Sequence, residues 1–201
     1  MIDSLKPCLL LALLLDILVL AGSIMLPGSD DLTYYRFTER QWVTFVSVVK
    51  LTMIATVSLS CFTVRAEGKH SQERAMWAFL CLCFMFLAFD EWFFIRERLC
   101  GLTSNPGLFD KASAVLYLAV GVMIFMAFIK HLRQYQISSA LIITGGLFFI
   151  LKIGIGLLDA NLGLTAAYLL GGAFKLIGES FLIVAFLEAL RQVSRSSKYS
   201  V

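Results

Sequence analysis

Six long apolar blocks separated by short polar connections can be read along the chain: Pro7–Leu26, Trp42–Val64, Ala75–Ile95, Ala112–Ile129, Ser139–Leu158 and Thr165–Leu190. Within each block the hydrophobic residues run on without the period-two alternation of a barrel strand. A helix rising 1.5 Å per residue needs about 20 residues to cross a hydrocarbon layer of roughly 30 Å. The pattern therefore predicts an all-α polytopic membrane protein with six transmembrane helices. The sixth block is longer than a span needs, so it predicts a tilted helix or one that runs on past the bilayer. The connections are too short for a separate soluble domain, so residues 1–201 read as a single transmembrane helical bundle.

Composition agrees. The chain is 59% hydrophobic and 15% charged, where a soluble domain carries about 25% charged residues, and its mean hydropathy is +0.84. The first block has Lys6 before it and "LAGS" near its end, which suits a signal peptide superficially. Asp16 in mid-run and five further blocks favour an uncleaved first helix instead.

Orientation follows from the basic residues of the loops. Lys6, Arg65, Lys69, Arg74, Lys130, Arg133, Arg191, Arg195 and Lys198 fall on one side, against Arg36, Arg40, Arg96, Arg98 and Lys111 on the other. Both the N- and the C-terminus are therefore expected to be cytoplasmic. Tyr34 and Tyr35 in "DDLTYYRF", and Trp92, Phe93 and Phe94 closing the third block, suit a membrane–water interface.

Charge inside the blocks changes the picture. Asp16, Lys50, Asp90, Glu91, Lys152, Lys175 and Glu179 all interrupt apolar runs. Ionisable residues within spans are costly and point to function unless paired. At 1.5 Å per residue all seven fall between the outer boundary and just past the midplane. Four acids and three lysines from five blocks at one level read as one cluster. Lys175 and Glu179 are spaced i,i+4 and can pair on one helix face. Asp90 and Glu91 point about 100° apart, so they have different partners. Asp90 and Glu97, seven residues apart, share a face and are expected to line the outer mouth of a polar cavity. Glu188 lies near the cytoplasmic end and is expected to reach water. The alternative use of such charges is structural, since buried pairs also fix helix register.

Several chemistries lack their residues. The two histidines, His70 and His131, fall in the expected cytoplasmic loops, so a histidine-built haem or metal site has no ligands. Cys81 and Cys83 lie about 200° apart on a helix and make no clamp. No G-x-S-x-G, P-loop or dinucleotide fingerprint occurs. Ser58, Ser60 and Ser180 have no evident base, and Ser and Thr in spans commonly bond to backbone. The basic segment "RAEGKHSQER" is explained by membrane topology, and nucleic acid is not an expected partner. The glycines of "TGGLFFILKIGIG" and "LLGGAFKLIGES" suit close helix packing. No cofactor and no metal are expected.

The segment "ERQWVTFVS" (39–47) resembles an ER-x-x-x-T-x-x-S pattern, and "DEWFFIRE" (90–97) resembles a DE-x4-HE pattern. Both are similar to segments of uncharacterised multi-pass bacterial inner-membrane proteins, which often add a glutamate-bearing last helix, here Glu179 and Glu188. The resemblance implies a bacterial inner-membrane bundle with a polar outer face and no particular activity. The chain departs from the pattern at Arg96, which stands at the histidine position. An arginine keeps its proton, but it can hold a phosphate or lock a neighbouring carboxylate.

Three functions follow, in order. The first is binding or transport of a small anionic solute or lipid headgroup, with a coupling proton on a carboxylate; its residues are Asp16, Lys50, Asp90, Glu91, Arg96, Glu97, Lys152, Lys175 and Glu179. The second is an accessory or assembly subunit of a larger membrane complex, with the charges as structural pairs. The third is a membrane enzyme on a lipid-linked substrate, for which no catalytic constellation is recognised. Expected partners are membrane lipids, the anion, and a second copy or another membrane subunit.

Overall fold

The computed structural model describes residues 6–25, 32–65, 71–132, 136–162 and 164–198. Some side chains within these helices, that of Glu97 among them, lie outside the described part. The described residues form seven helices and no strand: α1 (Lys6–Met25), α2 (Leu32–Val64), α3 (Ser71–Phe93), α4 (Ile95–Gly101), α5 (Pro106–Leu132), α6 (Gln136–Leu162) and α7 (Leu164–Lys198). Each apolar block is helical, as expected. Five helical segments are long and apolar enough to cross a membrane: Trp42–Val64, Ser71–Phe93, Gly107–His131, Ser138–Ile155 and Leu169–Ser196. At 1.5 Å per residue, the shortest of these is about 27 Å long.

Two boundaries differ from the sequence reading. α2 begins at Leu32, ten residues before the block, so most of "DDLTYYRF" is helix rather than loop. Those residues have helix-competent side chains and no Pro or Gly to stop them. The third block, in contrast, breaks early. Phe94 sits in the left-handed region at φ 52°, ψ 42°, and the short α4 starts directly after it. As foreseen for the sixth block, α7 runs on to Lys198 over 35 residues.

The helices form a ring in which α2 packs on α3 and α7, α7 on α6, α6 on α5, α5 on α4, and α4 on α3, with α1 laid against α2 and α7. Away from the α3–α4 corner the ring is filled by an apolar core that includes Ile54, Cys61, Trp77, Leu80, Ile183, Phe186 and Val193. Phe186 receives Trp77 and Phe84 edge-on, with ring centroids 5.9 and 5.3 Å away. Such T-shaped contacts set the negative face of one ring against the positive edge of another. Outside the ring, large apolar side chains such as Leu82, Leu116, Met123 and Met126 are exposed, as suits helices facing hydrocarbon.

Backbone approach is closest between α6 and α7. A Cβ placed on Gly145 would meet the Gly178 carbonyl oxygen at 2.9 Å, and one on Gly178 would meet the Gly145 oxygen at 3.0 Å. Only glycine fits at that crossing, which accounts for one glycine in each of the two segments singled out by sequence. Gly146 and Gly154 have nothing within 4 Å of such an atom and are not packing glycines.

Candidate functional site

α2 carries Thr44, Ser47 and Lys50 at successive turns, and α7 answers with Lys175, Leu176, Glu179 and Ser180. These two helices, with α1, α3 and α6 around them, bring five of the seven interrupting charges into two distinct groups, with a sixth, Glu179, between them.

The first group is closed. The Lys50 ammonium is paired with Asp16 of α1, and it donates to the Leu176 carbonyl at 2.9 Å and the Ser180 hydroxyl at 2.8 Å. The Ser180 hydroxyl in turn donates to the other Asp16 oxygen at 2.7 Å. An ammonium has three protons, and all three are used. Asp16 is 1% exposed, and Lys50 and Ser180 are buried too. Saturated in this way, the charges pin α1 and α2 to α7 and offer a ligand nothing.

The second group is open. Glu91, two residues before the end of α3, pairs with Lys175 through Oε1. The same oxygen accepts a long contact of 3.4 Å from the Thr44 hydroxyl. The charges of Lys152 and Arg96 also act on this carboxylate. Lys152, partly buried on α6 with its stem passing Gly171, makes no hydrogen bond or ion pair with a described residue, although Lys175, Glu91, Arg96 and Glu179 lie within its field. Between the two groups stands Glu179, fully buried at 0% exposure. Its Oε1 accepts from the Ser47 hydroxyl at 2.6 Å, and its Oε2 has no hydrogen-bond partner among the described residues.

Three sequence expectations are corrected. Lys175 does not pair with Glu179 one turn on, because Glu91 of α3 reaches it first. Asp90 does not line the charged layer. Its oxygens accept from the Arg96 backbone N–H at 3.0 Å and the Tyr117 hydroxyl at 3.2 Å, so it secures the corner where α3 turns into α4. Asp90 and Glu91 thus have separate jobs, as their 100° offset implies; Asp90 is engaged at the corner, and the Glu97 side chain, with which it was expected to line a cavity mouth, lies outside the described residues. Glu188 does not reach water. It is 0% exposed, ion-paired with Arg191 and accepting from Gln192 at 2.8 Å.

Sequence reasoning missed Thr44, Ser47, Ser180 and Tyr117 as partners of these charges. The other Ser and Thr residues explain why: Thr52, Thr56, Ser58 and Ser60 bond back to their own helix, the common use of a hydroxyl in a helix. A further buried pair, Arg65–Glu73 at 2.9 Å, ties the end of α2 to the start of α3. It also passed unremarked, since both residues lie at the block edges where charge is ordinary.

The segments 39–47 and 90–97 meet here: Thr44 and Ser47 come from the first, Glu91 and Arg96 from the second, and their contacts or charges lie in or beside the open group. Beside the Glu91 carboxylate of that group stand the cations Lys175, Lys152 and Arg96, with the carboxylate of Glu179 between this group and the closed one.

Several apolar helices long enough to span a bilayer, closed around a charged layer, make this a helical bundle of membrane-protein type. Residues 8–190 match the family described as a domain of unknown function (DUF8692), and the chain belongs to that family. No curated protein and no solved structure matches it.

Proposed function

We propose that the protein binds a small anion or an anionic lipid headgroup at the group formed by Glu91, Arg96, Lys152 and Lys175, and moves it in its membrane. Lys152 carries this reading. A lysine half-buried in a span without a hydrogen-bond or ion-pair partner is costly, and a ligand anion would supply the partner that no described residue provides. Glu179, with one oxygen unengaged, is the carboxylate best placed to carry a coupled proton. The setting we propose is a bacterial inner membrane, with six spans, both termini cytoplasmic and the open group in the outer half.

The test is native mass spectrometry of the protein released from a mild detergent, wild type beside a Lys152→Met/Lys175→Met double variant. A small anion or a defined lipid carried by the wild type and absent from the variant supports binding at this group. Identical bare spectra, or an unrelated protein bound to both, would support a second reading, the accessory subunit. The closed Asp16–Lys50 group favours that second reading, because it shows this chain using buried charge for construction.

A further inference from the structure

We infer that Glu91 is the resident anion of the open group: its carboxylate holds the position that an external phosphate oxyanion takes, and the ligand binds by displacing it from Lys175. This rests on the anion-binding reading above and names both the ligand's chemistry and the device that guards the site.

Glu91 is the focus of four elements. Thr44 of α2 and Lys175 of α7 touch its carboxylate, and the charges of Lys152 on α6 and Arg96 on α4 act on it. A negative group belongs there, and the chain supplies one of its own. The fit is incomplete. Both contacts fall on Oε1, the hydroxyl contact is long at 3.4 Å, and Lys152 gains no bond at all.

The carboxylate is also free to leave. The Glu91 side chain is 26% exposed while its partner Lys175 is 10% exposed. It lies two residues from the end of α3, beside the left-handed corner at Phe94. Asp16 offers the contrast: buried donors bind both its oxygens, and no solute can replace it.

The cations select the replacement. Each lysine ammonium is a point charge with three donors. The two ammonium groups of Lys175 and Lys152 offer more donors than the two oxygens of a carboxylate can use, and suit an oxyanion with three or four oxygens, a phosphate or its esters. Such an anion reaches Lys152, which Glu91 does not.

Removing the charge of Glu91 therefore strengthens binding, whereas removing a ligand-holding residue weakens it. Binding to full-length protein is measured by isothermal titration calorimetry, with inorganic phosphate in one arm and short-chain phosphatidylglycerol in the other. Glu91→Gln is expected to bind one of these roughly tenfold or more tightly than wild type, the scale of one charge-assisted hydrogen bond relieved of its competitor. Glu91→Ala is expected to shift the same way and stands in if the glutamine variant is not monodisperse. Tightening for inorganic phosphate supports displacement by a free solute, and tightening for the phospholipid alone supports displacement by a lipid headgroup. If wild type binds a probe and both Glu91 variants bind it equally or more weakly, displacement is wrong while the anion reading survives. If neither wild type nor variant binds either probe, the anion reading falls and this inference with it.

Discussion

Replacing Lys50 by methionine keeps the apolar stem and deletes the ammonium that joins three helices. Asp16 is then left with the Ser180 hydroxyl as its donor, and the third contact, to the Leu176 carbonyl, is lost. Breaking a buried ion pair from one side costs roughly 3–5 kcal/mol, because the surviving charge stays buried without compensation. Deleting the neutral Ser180 hydroxyl instead should cost only about 0.6 kcal/mol, the average for polar contacts between membrane helices. Replacing both charges at once, Asp16→Leu with Lys50→Met, should recover most of the loss, since an apolar pair of similar volume often does as well as a buried ion pair. The double variant is thus expected to be more stable than Lys50→Met alone, with a coupling energy of roughly 2–3 kcal/mol. Equilibrium unfolding in mixed micelles, followed by helical circular dichroism, measures wild type, both single charge variants, the double variant and Ser180→Ala. Single variants that each cost less than about 1 kcal/mol and simply add in the double would refute the closed-group argument.

Two further perturbations test the frame around the site. Gly178→Ala drives a methyl to 3.0 Å from the Gly145 oxygen and 3.1 Å from the Phe149 ring, so it should destabilise by roughly 1–3 kcal/mol in the same unfolding assay, while Gly146→Ala, with open space around it, should be silent. Asp90→Ala frees the Arg96 N–H and the Tyr117 hydroxyl, a loss of about 1–2 kcal/mol; hydrogen exchange should speed up across residues 95–101 more than in the body of α3.

How much of this was legible in the chain depends on the kind of information involved. The helices were, and five of them are long and apolar enough to cross a membrane, because a run of apolar residues is itself the physical requirement for crossing hydrocarbon. Partners were not. Spacing along one helix suggested Lys175 with Glu179, but which helix stands opposite is decided by packing, and there the Gly145–Gly178 crossing and α3 placed Glu91 nearer. The corner at Phe94 had no Gly or Pro to announce it; the carboxylate that holds it, Asp90, was read for the cavity instead. One signal was available and unused. Ser47, Lys50, Ile54, Ser58 and Cys61 recur every three or four residues along α2 and are all buried, a stripe that would have put Ser47 on the same inward face as Lys50.

α7 supplies the Leu176 carbonyl and Ser180 to the closed group, Lys175 to the open one, Gly178 to the tightest crossing and Phe186 to the core, and it is the last of the seven helices to be synthesised. Lys50 precedes its Leu176 partner by 126 residues. At a synthesis rate of about 5–20 residues per second, that interval lasts roughly 6–25 seconds. Throughout it the nascent bundle holds Lys50 and Asp16 without their shared hydroxyl, and once Glu91 is made it too waits for its lysine. Synthesis of α7 brings Ser180 and the Leu176 carbonyl to the Asp16–Lys50 pair and Lys175 to Glu91, so a chain cut short before Lys175 holds these charges with fewer partners and is expected to pack less well than one that includes α7.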